Sequence, residues 1–302
     1  MSDLNERVEE TIDSHQAPDY KPERAASLWG DAWRDLRKRP SVIISGLVIL
    51  IVMVMGFFPE LFTSVNPKSC NIALSKQGPT EGHPFGFSAE GCDYFAQTIH
   101  GAGPSIKLSL LVVAGTLVIG GLFGIIAGYY GGKVNMVIMR TMDVFFAFPS
   151  VLLAVAIAGS LGGGIGNQML TLTVVLIPPI CRVAETATLQ VRTLDFVDAA
   201  RASGASTISI LFTHVLINVL SPVLVYSSTL VSISIILASG LSFLGLGVSP
   251  PTADWGLMLS TLRQSIYVQP LVTALPGVLI LITSIAFNLV SDGLRQAMDV
   301  KA

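Results

Sequence analysis

From residue 41 onward the chain alternates long apolar runs with short polar interruptions. The apolar segments fall at about 41–62, 106–130, 134–159, 168–190, 218–248 and 271–291. A bilayer crossing takes roughly 20 apolar residues, so the pattern predicts an all-α membrane protein with six transmembrane helices. Residues 1–40 are polar and read as a cytoplasmic N-terminal segment. Within it Leu28, Trp29, Trp33 and Leu36 share one helical face beside Arg34, Arg37, Lys38 and Arg39. Tryptophan next to basic residues suits an amphipathic helix lying in the membrane interface. Residues 63–105, rich in Pro, Gly and Asn, read as an irregular extracytoplasmic loop. A second outer segment, "GVSPPTADWGLMLSTLRQSIYVQP", combines a Pro-rich turn with a short helix. A five-helix core would occupy 106–291, with a polar loop at 192–217, and residues 292–302 would form a cytoplasmic tail.

Composition agrees with this pattern. The chain is 51% hydrophobic and 13% charged, against about 25% charged in soluble domains, and its mean hydropathy is +0.67. A net charge of −2 gives no basic footprint for nucleic acid. The basic residues set the orientation. Fourteen of the 18 fall on one side if both termini are cytoplasmic, leaving Lys68, Lys76, Lys107 and Arg263 outside. Arg140, Asp143, Arg182 and Glu185 lie near cytoplasmic helix ends. There snorkelling and i,i+3 pairing account for them more cheaply than a proton relay.

The polar interruption "RTLDFVDAARASGASTISILFTHVLINVLSPVLV", Arg192 to Val225, is helical in pattern. At 100° per residue Phe196, Ala199, Ala200, Ser203 and Thr207 share one face, and Asp195, Asp198, Arg201 and Ala202 the other. Small residues permit close approach of a second surface, and charges can pair with it. Gly204 weakens a helix by about 1 kcal/mol relative to Ala, so a turn between two short helices explains it better. The stretch predicts a cytoplasmic knob that docks elsewhere; an ordinary loop is the alternative.

"DAARASGASTISILFTHVLIN" resembles the EAA loop of bacterial ABC-importer permeases. "HPFGFSAEGCDYFAQTIHGA", "GIIAGYYGGKVNMVIMRTMDVFFAFPS", "ASGLSFLGLGVSPPTADWGLML" and "FNLVSDGLRQAMD" extend the resemblance over nearly everything after residue 40. The chain is similar to the C-type transmembrane permease subunit of oligopeptide and dipeptide ABC importers. It departs from that pattern at Asp198 (usually Glu), Ser203 (usually larger and apolar), Ile217 (usually Pro) and Cys92 (often Arg).

The resemblance implies a type I permease fold in a bacterial plasma membrane and a non-catalytic subunit forming half of a peptide pathway. The coupling helix would use Asp195, Phe196, Asp198, Ala199, Ala200, Arg201, Ser203, Gly204, Ala205 and His214. The implied partners are a homologous membrane subunit, one or two cytoplasmic ATPase subunits and an extracytoplasmic peptide-binding protein. ATP and Mg would be bound by the ATPase subunits, with no cofactor in this chain. Consistent with that division, the sequence has no GxxxxGK[ST] phosphate loop, no nucleophile paired with a base and no metal-ligand spacing. Related permeases for nickel or glutathione share the motifs, and an uncoupled channel is the rival from another class.

Two further readings concern the spans and the outer loop. Ser221, Ser228, Ser232, Ser239 and Ser242 project within about 80° of one another on the fifth span. Such a stripe lines an aqueous path or lets helices pack closely. Cys70 and Cys92 fall in the outer segment, where disulfides persist; they form a bridge or remain two thiols. Cys181, near the inner end of the fourth span, is expected to stay reduced.

Overall fold

The structure, a computed structural model, describes Gly30, Arg34 and residues 36–263, 266–267 and 269–299. The interfacial helix expected around Leu28, Trp29 and Trp33 lies outside the described residues. Nine helices follow one another among them: α1 (Pro40–Phe57), α2 (Tyr94–Tyr130), α3 (Gly132–Phe146), α4 (Ser150–Leu161), α5 (Ile165–Val191), α6 (Asp195–Ala202), α7 (Thr207–Phe243), α8 (Trp255–Leu262) and α9 (Pro270–Asp299). Five are long and apolar enough to cross a membrane, and the count is six if the bent pair α3–α4 is one crossing.

The chain directions follow from this order. α2 and α5 run parallel, and their backbones are pressed together by Gly120, Gly124 and Gly128. A Cβ on Gly124 would stand 2.4 Å from the Cys181 carbonyl oxygen, and one on Gly128 would stand 2.6 Å from Thr188 Cβ. Spacing small residues four apart gives a flat stripe on which a second helix can lie, the usual device for close packing in lipid. The same pair carries Val112, Leu172, Leu176 and Ile180, all buried at the centre of the bundle.

Several element boundaries differ from the sequence expectation. α2 starts at Tyr94, twelve residues before the apolar run, so the outer loop ends at Asp93 and not at 105. Asp93 caps the helix by accepting the Ala96 N–H. Gly101 and Gly103, which read as loop punctuation, are there because the helix is crowded: a Cβ on Gly101 would lie 3.1 Å from the Trp255 ring, and one on Gly103 3.0 Å from the Gly56 carbonyl. The apolar run at 134–159 is two helices bent by 89° around Ala147–Pro149 and not one straight helix; Pro149 has no N–H to continue the ladder. The first span ends at Phe57, where Pro59 opens a 3₁₀ turn. α9 continues to Asp299, so 292–299 is helix and not tail, held to the start of α1 by Leu36 packing on Ala297 and Arg39 hydrogen-bonding Gln296. Residues 207–217, expected as the second half of a loop, are helical and continuous with α7.

At the end of the bundle where α2 begins, Cys70 and Cys92 are joined by a disulfide, and His83 contacts the capping Asp93. Cys181 is buried and free.

Candidate coupling site

α6 sits at the opposite end of the bundle. Asp195 and Asp198 stand in its first turn and Arg201 in its last, the arrangement that favours the partial charges of a helix. Its C-terminus is closed by the Ala205 N–H bonding the Ala200 carbonyl (3.1 Å) and the Gly204 N–H bonding the Arg201 carbonyl (3.0 Å). This pair of bonds is a Schellman closure, which needs a left-handed residue after the cap. Gly204 supplies it, with φ +80°. Ser206 then caps α7 by accepting the Ser209 N–H. The turn between two helices expected from Gly204 is therefore present.

What holds α6 in place was not apparent from its two faces. Only Val197 is fully buried on this helix, a burial that contributes about 1.5–3 kcal/mol. Arg192, in the turn before it, donates to the Gly128 and Tyr129 carbonyls (2.9 and 3.2 Å) at the C-terminal end of α2. Arg201 lies over the Tyr129 ring at 5.7 Å, and Phe196 stands 5.9 Å from His214. His214 belongs to Leu211–Val215, a π-helical turn at the root of α7, a winding that recurs at functional positions. α6 is thus tied to α2, to α5 through its linker, and to α7.

Of the residues expected at this site, Asp195, Phe196, Asp198, Ala199, Arg201, Ser203 and Gly204 are exposed, and Ala200, Ala205 and His214 are half-buried. The charged face is open, the small face is open except at half-buried Ala200, and the helix is seated on Val197 between them. The Arg201–Asp198 ion pair (3.1 Å) is exposed and worth about 0–1 kcal/mol. Sequence reasoning missed Val197, Arg192 and Tyr129. Val197 carried a signal, being the one large aliphatic residue in 195–207.

The serine stripe behaves mainly as packing. Ser232 donates to the Ser284 carbonyl and accepts from Asn288 on α9. Ser242 accepts from Gln168 on α5, and Ser239 lies against Gly256. All three are buried, which corrects the pathway expectation at these positions: the hydroxyls of Ser232 and Ser242 bond neighbouring helices, and Ser239 packs its backbone against Gly256. Ser221 and Ser228 are half-buried.

At the α2-start end, Asp254 caps α8 through the Leu257 N–H and accepts the Ser105 hydroxyl (both 3.0 Å). Burial pushes its carboxyl above the ordinary aspartate range, opposed by these bonds and by others from Gly256 and Ser242. The neighbouring Trp255 is fully buried and donates its indole N–H to the Thr98 carbonyl.

The long helices form a bundle, and the short α6 lies at its end, seated on Val197 with its polar surface left open. A family model described as binding-protein-dependent transport system inner membrane component matches residues 120–301. A second, for the N-terminal TM domain of oligopeptide transport permease C, matches residues 27–79. The chain belongs to the family of binding-protein-dependent transport system inner membrane components.

Its similarity to curated relatives runs almost end to end. It is 35% identical over 291 residues to the dipeptide transport system permease protein DppC of Alkalihalophilus pseudofirmus, covering 96% of each chain. It is 33% identical to the glutathione transport system permease protein GsiD of Pectobacterium atrosepticum, covering 94% of this chain and 95% of that one. The fold is shared with the inward-facing MetNI methionine ABC transporter (TM-score 0.55, 18% identity, 68% of this chain and 97% of that one). It is also shared with an amino acid ABC transporter (TM-score 0.51, 13% identity, 67% and 95%).

Proposed function

We propose that this chain forms half of the membrane pathway of an ATP-driven importer of oligopeptides or dipeptides and that α6 is its coupling helix. The observation that carries the reading is the mounting of α6: a short, open helix seated on buried Val197, joined to α5 by a linker whose Arg192 bonds the end of α2, with Arg201 over Tyr129 of α2 and Phe196 beside His214 of α7. A rigid tilt imposed on α6 would therefore move three spans together, the way a packed interface converts a small shift into a switch between two arrangements. Peptide cargo is supported by the match to the oligopeptide permease model and by the dipeptide permease relative. The glutathione permease relative supports a narrower cargo of the same chemistry, a short peptide.

In this reading the α6 end is cytoplasmic and the disulfide-bonded end faces outward, as the distribution of basic residues favours. The chain itself is non-catalytic. ATP and Mg are bound by one or two cytoplasmic ATPase subunits that receive α6, and an extracytoplasmic binding protein delivers the peptide. A homologous membrane subunit supplies the other half of the path. Between 22% and 50% of each span's apolar window is buried within this chain, leaving wide apolar surface for that subunit and for lipid.

The test is reconstitution of the four kinds of subunit in liposomes. Uptake of labelled di- to pentapeptides should require ATP, the binding protein and this chain together. Uptake that persists without ATP would replace the importer by a channel; uptake of glutathione with no other peptide transported would narrow the cargo.

A further inference from the structure

A helix leaves the carbonyls of its last turn without partners in the helix itself. At the end of α2 the Gly131 N–H takes the Ala127 carbonyl (3.0 Å), and the next two carbonyls are taken by another element. Nη1 of Arg192, in the turn between α5 and α6, donates to the Gly128 and Tyr129 carbonyls (2.9 and 3.2 Å). A guanidinium in this place also meets the negative end of the helix dipole. Its seat exists because the residue after α2 is a glycine. A Cβ on Gly131, whose φ is +65°, would stand 2.9 Å from the same Nη1.

α2 is gripped a second time. Arg201, in the last turn of α6, lies over the Tyr129 ring at 5.7 Å, where a cation is attracted to the ring face. Tyr129 is thus held through its carbonyl by the arginine before α6 and through its ring by the arginine at the end of α6. The α5 side of this clamp is stiff. The Arg192 N–H continues the α5 ladder onto the Thr188 carbonyl (2.9 Å). There α5 lies so close to α2 that a Cβ on Gly128 would stand 2.7 Å from the Glu185 carbonyl oxygen. The link from α6 to α7 is of another kind: a ring contact at 5.9 Å between Phe196 and His214, on a π-helical turn. Charge-assisted bonds to two carbonyls fix direction as well as distance; a tilted ring contact fixes neither as firmly.

We infer that Arg192 is a positioning residue that makes the end of α2 follow α6, so that α2 and α5 are the spans that closure of the ATPase drives directly, while α7 follows through a looser contact. This deepens the importer reading and rests on it. The close packing of α2 on α5 then carries the displacement along both helices as one body, because Gly120, Gly124 and Gly128 leave no room for the two backbones to slide apart and repack.

The test counts peptide imported per ATP hydrolysed in the complete transporter, reconstituted in liposomes with its other subunits and the binding protein and supplied with labelled di- to pentapeptides. Arg192→Gln removes the guanidinium from the end of α2 and leaves the open surface of α6 as it is, so the ATPase should still copurify. The ratio should fall about tenfold, the equilibrium shift that one bond to a charged group is worth. Arg192→Lys keeps the charge without the planar fork, and its ratio should stand between those of the wild type and Arg192→Gln. His214→Leu removes the ring contact to α7 and should lower the ratio less than Arg192→Gln does. An unchanged ratio in Arg192→Gln, or Lys no better than Gln, would overturn the inference, and a larger loss in His214→Leu would make α7 the driven span instead. Failure of Arg192→Gln to insert, or loss of its ATPase, would also overturn it by making Arg192 a residue of folding alone. Absence of ATP-driven uptake in the wild type would defeat the importer reading; uptake with an unchanged ratio in the variants defeats only the role given to Arg192.

Discussion

Gly204 is the position at which the mounting of α6 can be weakened with least collateral change. Its φ of +80° lies where L side chains are strained, yet no heavy atom stands within 4 Å of the place a Cβ would occupy. Gly204→Ala therefore adds no clash, only the left-handed backbone penalty of about 1–2 kcal/mol. Opening of the cap should become about 5–30-fold more frequent. Asn tolerates this region better than Ala, and a β-branched residue worse, so the expected order is Gly, Asn, Ala, Val. Two readouts apply to the complete transporter in liposomes, with assembly checked by subunit stoichiometry. Hydrogen exchange at the Gly204 and Ala205 amides, both bonded in the closure, should quicken in that order, and cargo-stimulated ATP hydrolysis should fall in the same order. Four variants with equal exchange, or Asn falling below Ala, would refute the conformational argument.

Three other outcomes follow from particular groups. Ala199→Trp, on the open surface of α6, should leave insertion intact but reduce ATPase copurification on the order of tenfold. Ala200→Trp, half-buried, should also lower the stability of the chain by about 1–3 kcal/mol, and Asp198→Lys should be mildest. Mass spectrometry without reductant should find Cys70 joined to Cys92 and Cys181 free; the bridge closes a separation of 22 residues, and its removal should cost about 3 kcal/mol. Burial raises the Asp254 carboxyl above its ordinary value of 3.8. A raised pKa means the protonated form is favoured by folding, so its stabilisation is complete below that value and is lost as pH rises through the higher folded one. Thermal unfolding of the wild type should therefore lose stability across that range, and Asp254→Asn should flatten the loss; an unchanged slope counts against it.

Five long apolar helices and the position of α6 were legible in the sequence because apolar runs and the Gly204 turn are local signals. The early start of α2 was not. Gly101, Gly103 and Pro104 resemble loop residues, and only the approach of Trp255 and Gly56 shows that the glycines serve packing. The break at Ala147–Pro149 was hidden inside a continuous apolar run. For the coupling site, the residues of α6 were legible but its mounting was not: Arg192 bonds carbonyls more than sixty positions away, a relation with no local trace. The serine stripe shows the converse. Its period was read correctly, but a helical period says which residues share a face and not whether the face meets water or another helix.

The central claim is that α6 is received by an ATPase subunit and follows its motion. Ala199→Cys tests it directly, since Ala199 is exposed while Cys181 is buried and the other two cysteines are bridged. The variant transporter is treated with a short bifunctional thiol crosslinker, alone and with a non-hydrolysable ATP analogue, against ATPase subunits carrying single cysteines along their membrane-facing groove. The account predicts a crosslink to the ATPase in both states, with the preferred partner position shifting when nucleotide binds. Efficient labelling of the introduced thiol by soluble maleimide in the assembled transporter, with no crosslink at any groove position, would contradict it.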